Sequence, residues 1–309
     1  MKALFAGLGS IGCRHIKNFS EELSRRGVDF TIDALRSSGR PLADGIDALL
    51  SRSYSSPDEL DGSYDVVFVT NPTSLHAATI SSLICRAGAM FIEKPVFIDP
   101  ATDISSLGVA PDCVCYVACP LRHSSAVKRA SQLVRESRVS AARALCSSYL
   151  PEWRKTGDYR ECYSAHRDLG GGVRLDLVHE WDYLVSLFDF PLDVRAFSGH
   201  FSPLEISSDD VAVYIARYPE LLLSLHLDYI GRAPRRELEL YCEDETYIVD
   251  IIKNEVLSLR SGKREELPPC DIYKSEMSYF VDCVQNCIVD NMNTIDRAAR
   301  VLSLAAVQE

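Results

Sequence analysis

No stretch of the 309 residues stays apolar for the roughly 20 that a membrane-spanning helix needs. The longest candidate, ELLLSLHLDYI from Glu220 to Ile230, carries His226 and Asp228, so the chain is expected not to span a bilayer. A basic surface is missing too: 33 basic against 44 acidic side chains give a formal charge of −11. Binding to nucleic acid or anionic lipid draws on counterion release by a basic patch, so neither is the expected partner, and a small molecule fits better. Glycines interrupt MKALFAGLGSIG before a signal-peptide core of about 7 to 15 apolar residues can form, and the expected compartment is the cytoplasm. Repeats and low-complexity segments are absent, and 47% apolar with 25% charged residues is the usage of an ordinary globular protein. Cysteine is not scarce, but 11 in a long chain without a leader point to free thiols rather than a disulfide framework. The Cys113, Cys115, Cys119 run and the Cys283, Cys287 pair are read as small buried hydrophobes, with no metal site expected.

What is present is a succession of short apolar runs. KALFAG, VDFTIDALR, DVVFVT, MFIEKP and CVCYVAC read as strands, with helical segments such as CRHIKNFSEELSRRG and HAATISSLICRAG between them. Strands without polar alternation, separated by helices, predict a parallel sheet covered on both faces, the doubly wound α/β pattern. After Pro120 the pattern changes. Segments such as Leu221 to Tyr229 and Arg236 to Tyr241 alternate polar with apolar, which predicts an antiparallel open sheet with one wet face. The expected fold is therefore α/β: a Rossmann domain over 1–120 and an α+β domain with a largely antiparallel sheet over 121–309. The C-terminal helix is a candidate to pack back on the first domain.

Gly7, Gly9 and Gly12 form GxGxxG between the first apolar run and the first helix. The first glycine permits a tight turn, the second lets a pyrophosphate approach the backbone, and the third lets the helix pack close with its N-terminus facing the phosphates. With Ser10 and Ile11, this turn is read as binding a dinucleotide, NAD or NADP. At the end of the second strand an acidic residue selects NAD, and a basic one accommodates the extra phosphate of NADP. Asp33 reads as mid-strand, with Arg36, Ser37 and Ser38 at the tip, which favours NADP; Asp33 as a ribose ligand for NAD is the alternative. In EKP, Glu93, Lys94 and Pro95 end a strand at the edge where such sheets bind ligands, and the proline restricts how Lys94 points. Taken alone, the tripeptide reads better as a surface lysine in a turn.

LGGGVRLDLVHEWDYL, from Leu169 to Leu184, gathers three glycines and four chemically active side chains. On a continuous helix at about 100° per residue, Asp176, His179, Glu180 and Tyr183 fall within about 100° of one another. A His one turn after an Asp suits proton transfer, whereas the bland reading is a solvated polar face.

Together and in this order, GLGSIG, TNPTSLH, EKP and GGGVRLDLVHEWD resemble the Gfo/Idh/MocA family of glucose-fructose oxidoreductase, inositol dehydrogenase and MocA-like NAD(P)-dependent sugar oxidoreductases. The resemblance implies that Thr70, Asn71, Pro72, His76, Glu93 and Lys94 join the cofactor site, and that Lys94, Asp176 and His179 carry the chemistry. Many relatives place the His four residues after the Asp; here the spacing is three. Arg122, Arg160, Tyr163 and Tyr183 are the candidate substrate contacts, some in a loop like that of relatives acting on surface-polysaccharide sugars. The expected reaction is hydride transfer at a hydroxyl or keto carbon of a sugar, sugar derivative or polyol. A redox-neutral glycosidase-like enzyme and a non-catalytic NAD(P) sensor are the alternatives. A homodimer or homotetramer through the second sheet is expected.

Overall fold

Apolar strands buried on both faces set the architecture of the first part of the chain. The computed structural model describes residues 1–37, 41–43, 45–153 and 157–307, so Ser38 and part of the loop before Gly170 lie outside the described residues. Strands β1 (Lys2–Ala6), β2 (Thr31–Leu35), β3 (Arg52–Tyr54), β4 (Tyr64–Val69), β5 (Ala87–Ile92) and β6 (Val114–Val117) form one six-stranded sheet in the order 3-2-1-4-5-6. Every pairing is parallel. Helix α1 (Ser10–Arg25) follows β1 and α2 (His76–Leu83) follows β4. This is the expected doubly wound order, with the chain reversing direction across the sheet between β1 and β4.

The second part contains α3 (Ser125–Glu136), β7 (Val139–Tyr149), α4 (Val173–Asp176), α5 (Val178–Phe188), β8 (Asp193–Gly199), β9 (Val211–Arg217) and β10 (Leu222–Asp228). It continues with β11 (Ile230–Cys242), β12 (Thr246–Asp250), β13 (Glu255–Ser258) and β14 (Arg264–Glu266). The eight strands run in the order 14-13-12-11-7-10-9-8 and are antiparallel except for β7 with β10. Alternation decides the faces: Leu223, Leu225 and Leu227 are fully buried, while Leu222 is 53% exposed. Trp181 of α5 meets Tyr214 of β9 edge-on on the buried side.

Two last helices, α6 (Ile272–Gln285) and α7 (Ile295–Ala305), close the chain. The chain divides into a first unit of Met1–Pro120 with Asp271–Arg300 and a second of Leu121–Cys270 with Val301–Glu309. This differs from a simple cut at residue 120, because α6 completes the first core. Its Met277, Phe280 and Val281 are fully buried there with Phe5, Phe19, Phe68 and Phe91, and Phe5 stacks on Phe68 at 4.1 Å. None of the eleven cysteines is in a disulfide. No helix among the described residues is long and apolar enough to cross a membrane.

Candidate active site

The glycine turn behaves as its spacing predicts, each position for a separate reason. Gly7 has φ +96° and lies so close to Asn71 that a Cβ would come within 2.7 Å of its backbone. A Cβ on Gly12 would meet the Gly7 carbonyl at 2.6 Å, so only glycine lets α1 start this close to β1. At Gly9, by contrast, a Cβ would meet nothing within 4 Å. Gly9 is the N-cap of α1, with no side chain capping it and no acidic residue in the first turn. Amide donors and the positive end of the helix dipole therefore face open space, the arrangement that takes a phosphate. Thr70 Oγ1 donates to the Gly7 carbonyl at 2.5 Å, tying the end of β4 to this turn. The residues present thus fit the diphosphate of a dinucleotide.

The carboxyl end of β5 is anchored by two buried imidazoles. His15 of α1 is fully buried and places Nε2 2.5 Å from Glu93 Oε1. Glu93 Oε2 accepts the backbone N–H of Lys94 at 3.1 Å. Burial pushes the Glu93 carboxyl up, but His15 and the Lys94 charge outweigh it and hold it below its ordinary value. Beyond the cis Lys94–Pro95 bond, His76 sets Nδ1 3.1 Å from the Val96 carbonyl and Nε2 3.0 Å from the Asn71 carbonyl. Burial lowers the His76 pKa, and a neutral ring donates to one of those carbonyls only. Glu93 and His76, expected among the cofactor contacts, are thus engaged in holding the turn that carries Lys94, which is itself partly exposed.

Asp33 lies mid-strand, 4% exposed, and accepts from the Tyr64 hydroxyl at 3.1 Å. That removes it from the strand end where a ribose ligand belongs. Arg36 is the first residue past β2, its N–H bonded to the Tyr54 carbonyl, and Ser37 beside it is exposed.

In the second unit two of the three glycines, Gly171 and Gly172, serve packing, and Gly170 ends the preceding turn at φ +84°. A Cβ on Gly171 would stand 2.1 Å from the Tyr163 carbonyl, and one on Gly172, at φ +127°, would stand 2.6 Å from Asp209 Oδ1. The helix they lead into is not continuous. It breaks at Leu177 (φ −99°, ψ 22°) between α4 and α5, so the single-helix projection of Asp176 to Tyr183 does not hold. The polar stripe is also not a wet face, since Glu180 and Tyr183 are 0% exposed. The reason is Arg236, reaching in from β11. Its Nε lies 2.8 Å from Glu180 Oε1, and its Nη2 lies 2.8 Å from His179 Nε2. A guanidinium can only donate, so His179 Nε2 accepts and the ring proton sits on Nδ1. The Glu180 carboxyl is pushed up by burial, against the opposing charge of Arg236. His179 keeps 15% of its side-chain surface. Both Asp176 oxygens accept tyrosine hydroxyls, one from Tyr163 and one from Tyr229 at 2.5 Å.

Three expected substrate contacts have partners within the protein. Tyr183 is wholly buried beside Glu180 and has no surface to offer a substrate. Arg122 spends its fork on Asp182, with Nε to Oδ2 at 2.8 Å and Nη2 to Oδ1 at 2.6 Å, both side chains under 10% exposed. Arg160 is exposed but paired with Asp158 and Glu205. Tyr163, 47% exposed with its hydroxyl on Asp176, is placed differently. It lines a small cavity of about 130 Å³ with Leu150, Trp153, Tyr159 and Cys162.

Over residues 1–117 the chain matches the GFO_IDH_MocA model, described as the oxidoreductase family with the NAD-binding Rossmann fold. Over this segment, somewhat more than a third of the chain, the sequence is similar to that family. No curated protein matches it. Among solved structures it is similar to UDP-N-acetylglucosamine 3-dehydrogenase GnnA from Acidithiobacillus ferrooxidans, at 20% identity and TM-score 0.78 over 99% of this chain and 95% of that one. A levoglucosan dehydrogenase with NADH and levoglucosan gives 15% identity and TM-score 0.78 over the same shares. An Agrobacterium radiobacter oxidoreductase with NAD+, L-tartaric acid and magnesium gives 13% and 0.82, over 100% of this chain and 95% of that one. At these identities the likeness establishes the fold, both sheets included.

Three residues of this chain escaped sequence reasoning although each left a signal. Arg236 shares strand parity with Leu238 and Leu240, which are buried, and a cation on the apolar side of a strand calls for a buried anion. Tyr229 continues the buried parity of Leu223, Leu225 and Leu227. His15 sits on α1 beside the core residues Ile16 and Phe19.

Proposed function

We propose that this chain transfers hydride between a nicotinamide dinucleotide and a hydroxyl or keto carbon of a sugar, sugar derivative or polyol. The observation that carries the reading is at the carboxyl edge of the first sheet. There an open, uncapped helix N-terminus after β1 and the anchored Lys94 after β5 occur in one unit, within the segment similar to an NAD-binding oxidoreductase family. When bound, the nicotinamide accepts or returns the hydride. Gly7, Gly9 and the first amides of α1 hold the diphosphate, with Ser10, Ile11 and Gly12 shaping the turn and Thr70, Asn71 and Pro72 beside it. Arg36 and Ser37 suit the additional phosphate of NADP, a preference supported by the occupation of Asp33 by Tyr64.

Lys94 donates to the reacting oxygen and stabilises the charge that develops there. His179 takes the hydroxyl proton in oxidation and returns it in reduction. Its lone pair is on Nε2, so a substrate hydroxyl that hands over its proton there replaces the Arg236 donor. Asp176, fixed by two tyrosines, supports the positive charge of the ring. Dehydrogenases of an amino-sugar nucleotide and of an anhydrosugar among the structural neighbours support the carbohydrate class. A screen of polyols, sugars and sugar nucleotides with NAD and NADP, followed by reduced-nicotinamide absorbance, tests the reading. Turnover of at least one carbohydrate is expected, and failure of the whole panel with a chain that binds the dinucleotide would overturn it.

A further inference from the structure

We infer that His15, which lies outside every assigned site, is a positioning residue that places Lys94 by acting through Glu93. The inference rests on the reading of Lys94 as the group that meets the reacting oxygen.

The connection is short. His15 follows Ser10, the first residue of α1, by less than two turns, so it belongs to the helix whose N-terminus takes the phosphates. Its ring is fully buried and packs on Phe91 with centroids 4.7 Å apart, two residues before Glu93 on β5. Nε2 contacts one Glu93 oxygen at 2.5 Å, and the other oxygen accepts the Lys94 N–H at 3.1 Å. A carboxylate bridging two elements in this way fixes the main chain of the residue after it. It also fills a need of its own, because a carboxylate 8% exposed is costly without a partner. The Glu93 carboxyl is accordingly held below its ordinary value despite burial, with His15 the main favourable cause.

The phosphate-binding helix and the lysine-bearing strand end are thereby joined by one imidazole and one carboxylate. His15 touches no substrate in this account. Loss of its bridge loosens Lys94, and a displacement of about 1 Å at a reacting group can cost about 100-fold in rate.

The test compares His15→Leu and His15→Gln with Lys94→Met in the full chain, on the carbohydrate that the wild type turns over. In His15→Leu, kcat should fall by about tenfold or more with KM and dinucleotide Kd changed by less than about threefold. The acylation rate of the Lys94 amine, read by peptide mass spectrometry, should change relative to the other lysines. His15→Gln, which keeps a donor for Glu93, should recover most of kcat. Normal kcat in His15→Leu, with Lys94→Met inactive, would overturn the inference and leave the role of Lys94 standing. Equal losses in the Leu and Gln variants together with lost dinucleotide binding would also overturn it, as a purely structural role. Full activity in Lys94→Met would remove the reading of Lys94 and this inference with it. Should His15→Leu not fold, Glu93→Gln replaces it: reduced kcat with dinucleotide binding retained is expected, and unchanged kcat would overturn the inference.

Discussion

Single atoms separate the roles of residues that look alike in the sequence. Gly9 and Gly12 are three positions apart in one motif, yet an added methyl at Gly12 collides with a carbonyl at 2.6 Å while one at Gly9 meets open space. Gly12→Ala should therefore lower the melting temperature and weaken dinucleotide binding. Gly9→Ala should leave the melting temperature near wild type but weaken binding about tenfold or more, since its methyl occupies the phosphate approach; calorimetry with dinucleotide titration checks both. The Glu180–Arg236 pair behaves differently, because each member neutralises a buried charge of the other. Arg236→Leu alone should cost roughly 3 kcal/mol or more by stranding Glu180, whereas Glu180→Leu with Arg236→Leu should cost less than the single change. Equilibrium unfolding in urea distinguishes these outcomes. The charge of Arg236 was legible as an arginine on an apolar strand parity, but its partner was not, because pairing across elements 56 positions apart is set by tertiary packing.

Elements formed where local chemistry and burial agreed, and departed from the sequence reading where they did not. The parallel strands were legible because burial on both faces leaves continuous apolar runs. The break between α4 and α5 was not: nothing in RLDLVHEW interrupts the helical pattern, and the main chain is held by Asp209, whose carbonyl takes the Val173 N–H and whose carboxylate takes that of Arg174. Helix α1 gives the clearest pH dependence. Glu22 on it is bonded to Arg25 and Arg26, and Arg26 continues to Asp282 of α6. Above all the Arg25 hydrogen bond, with Arg26 adding to it against the opposing effect of burial, lowers the Glu22 pKa from 4.5 to about 2. A carboxyl lowered on folding stabilises fully above its unfolded value, and that contribution disappears as pH falls through the folded one. Glu22→Gln should thus lower the melting temperature at neutral pH, by about 1 kcal/mol or less in stability. The difference from wild type should shrink as pH falls from about 4.5 towards 2, and thermal melts across that range check it.

At the scale of the whole molecule, the two sheets were foreseen, and α6 returns to the first core after the entire second sheet. The second sheet also leaves an apolar outer face: Phe197 is 65% exposed, Leu222 53%, Ile215 44% and Tyr241 39%, all on the side away from Leu223 and Leu225. The expected occupant is a second copy of the chain, so light scattering should show a dimer or tetramer that Phe197→Asp with Ile215→Asp converts to monomer. A monomeric wild type would remove that expectation without touching the chemistry. The central claim, hydride transfer with His179 moving the proton, is tested most directly by single-turnover nicotinamide reduction in wild type and His179→Ala with the carbohydrate found by screening. Stoichiometric reduced nicotinamide is expected in the wild type, and a rate lower by about 100-fold or more in the variant, at unchanged dinucleotide affinity. Equal rates in the two proteins, or carbohydrate conversion with no net change in nicotinamide absorbance, would contradict it.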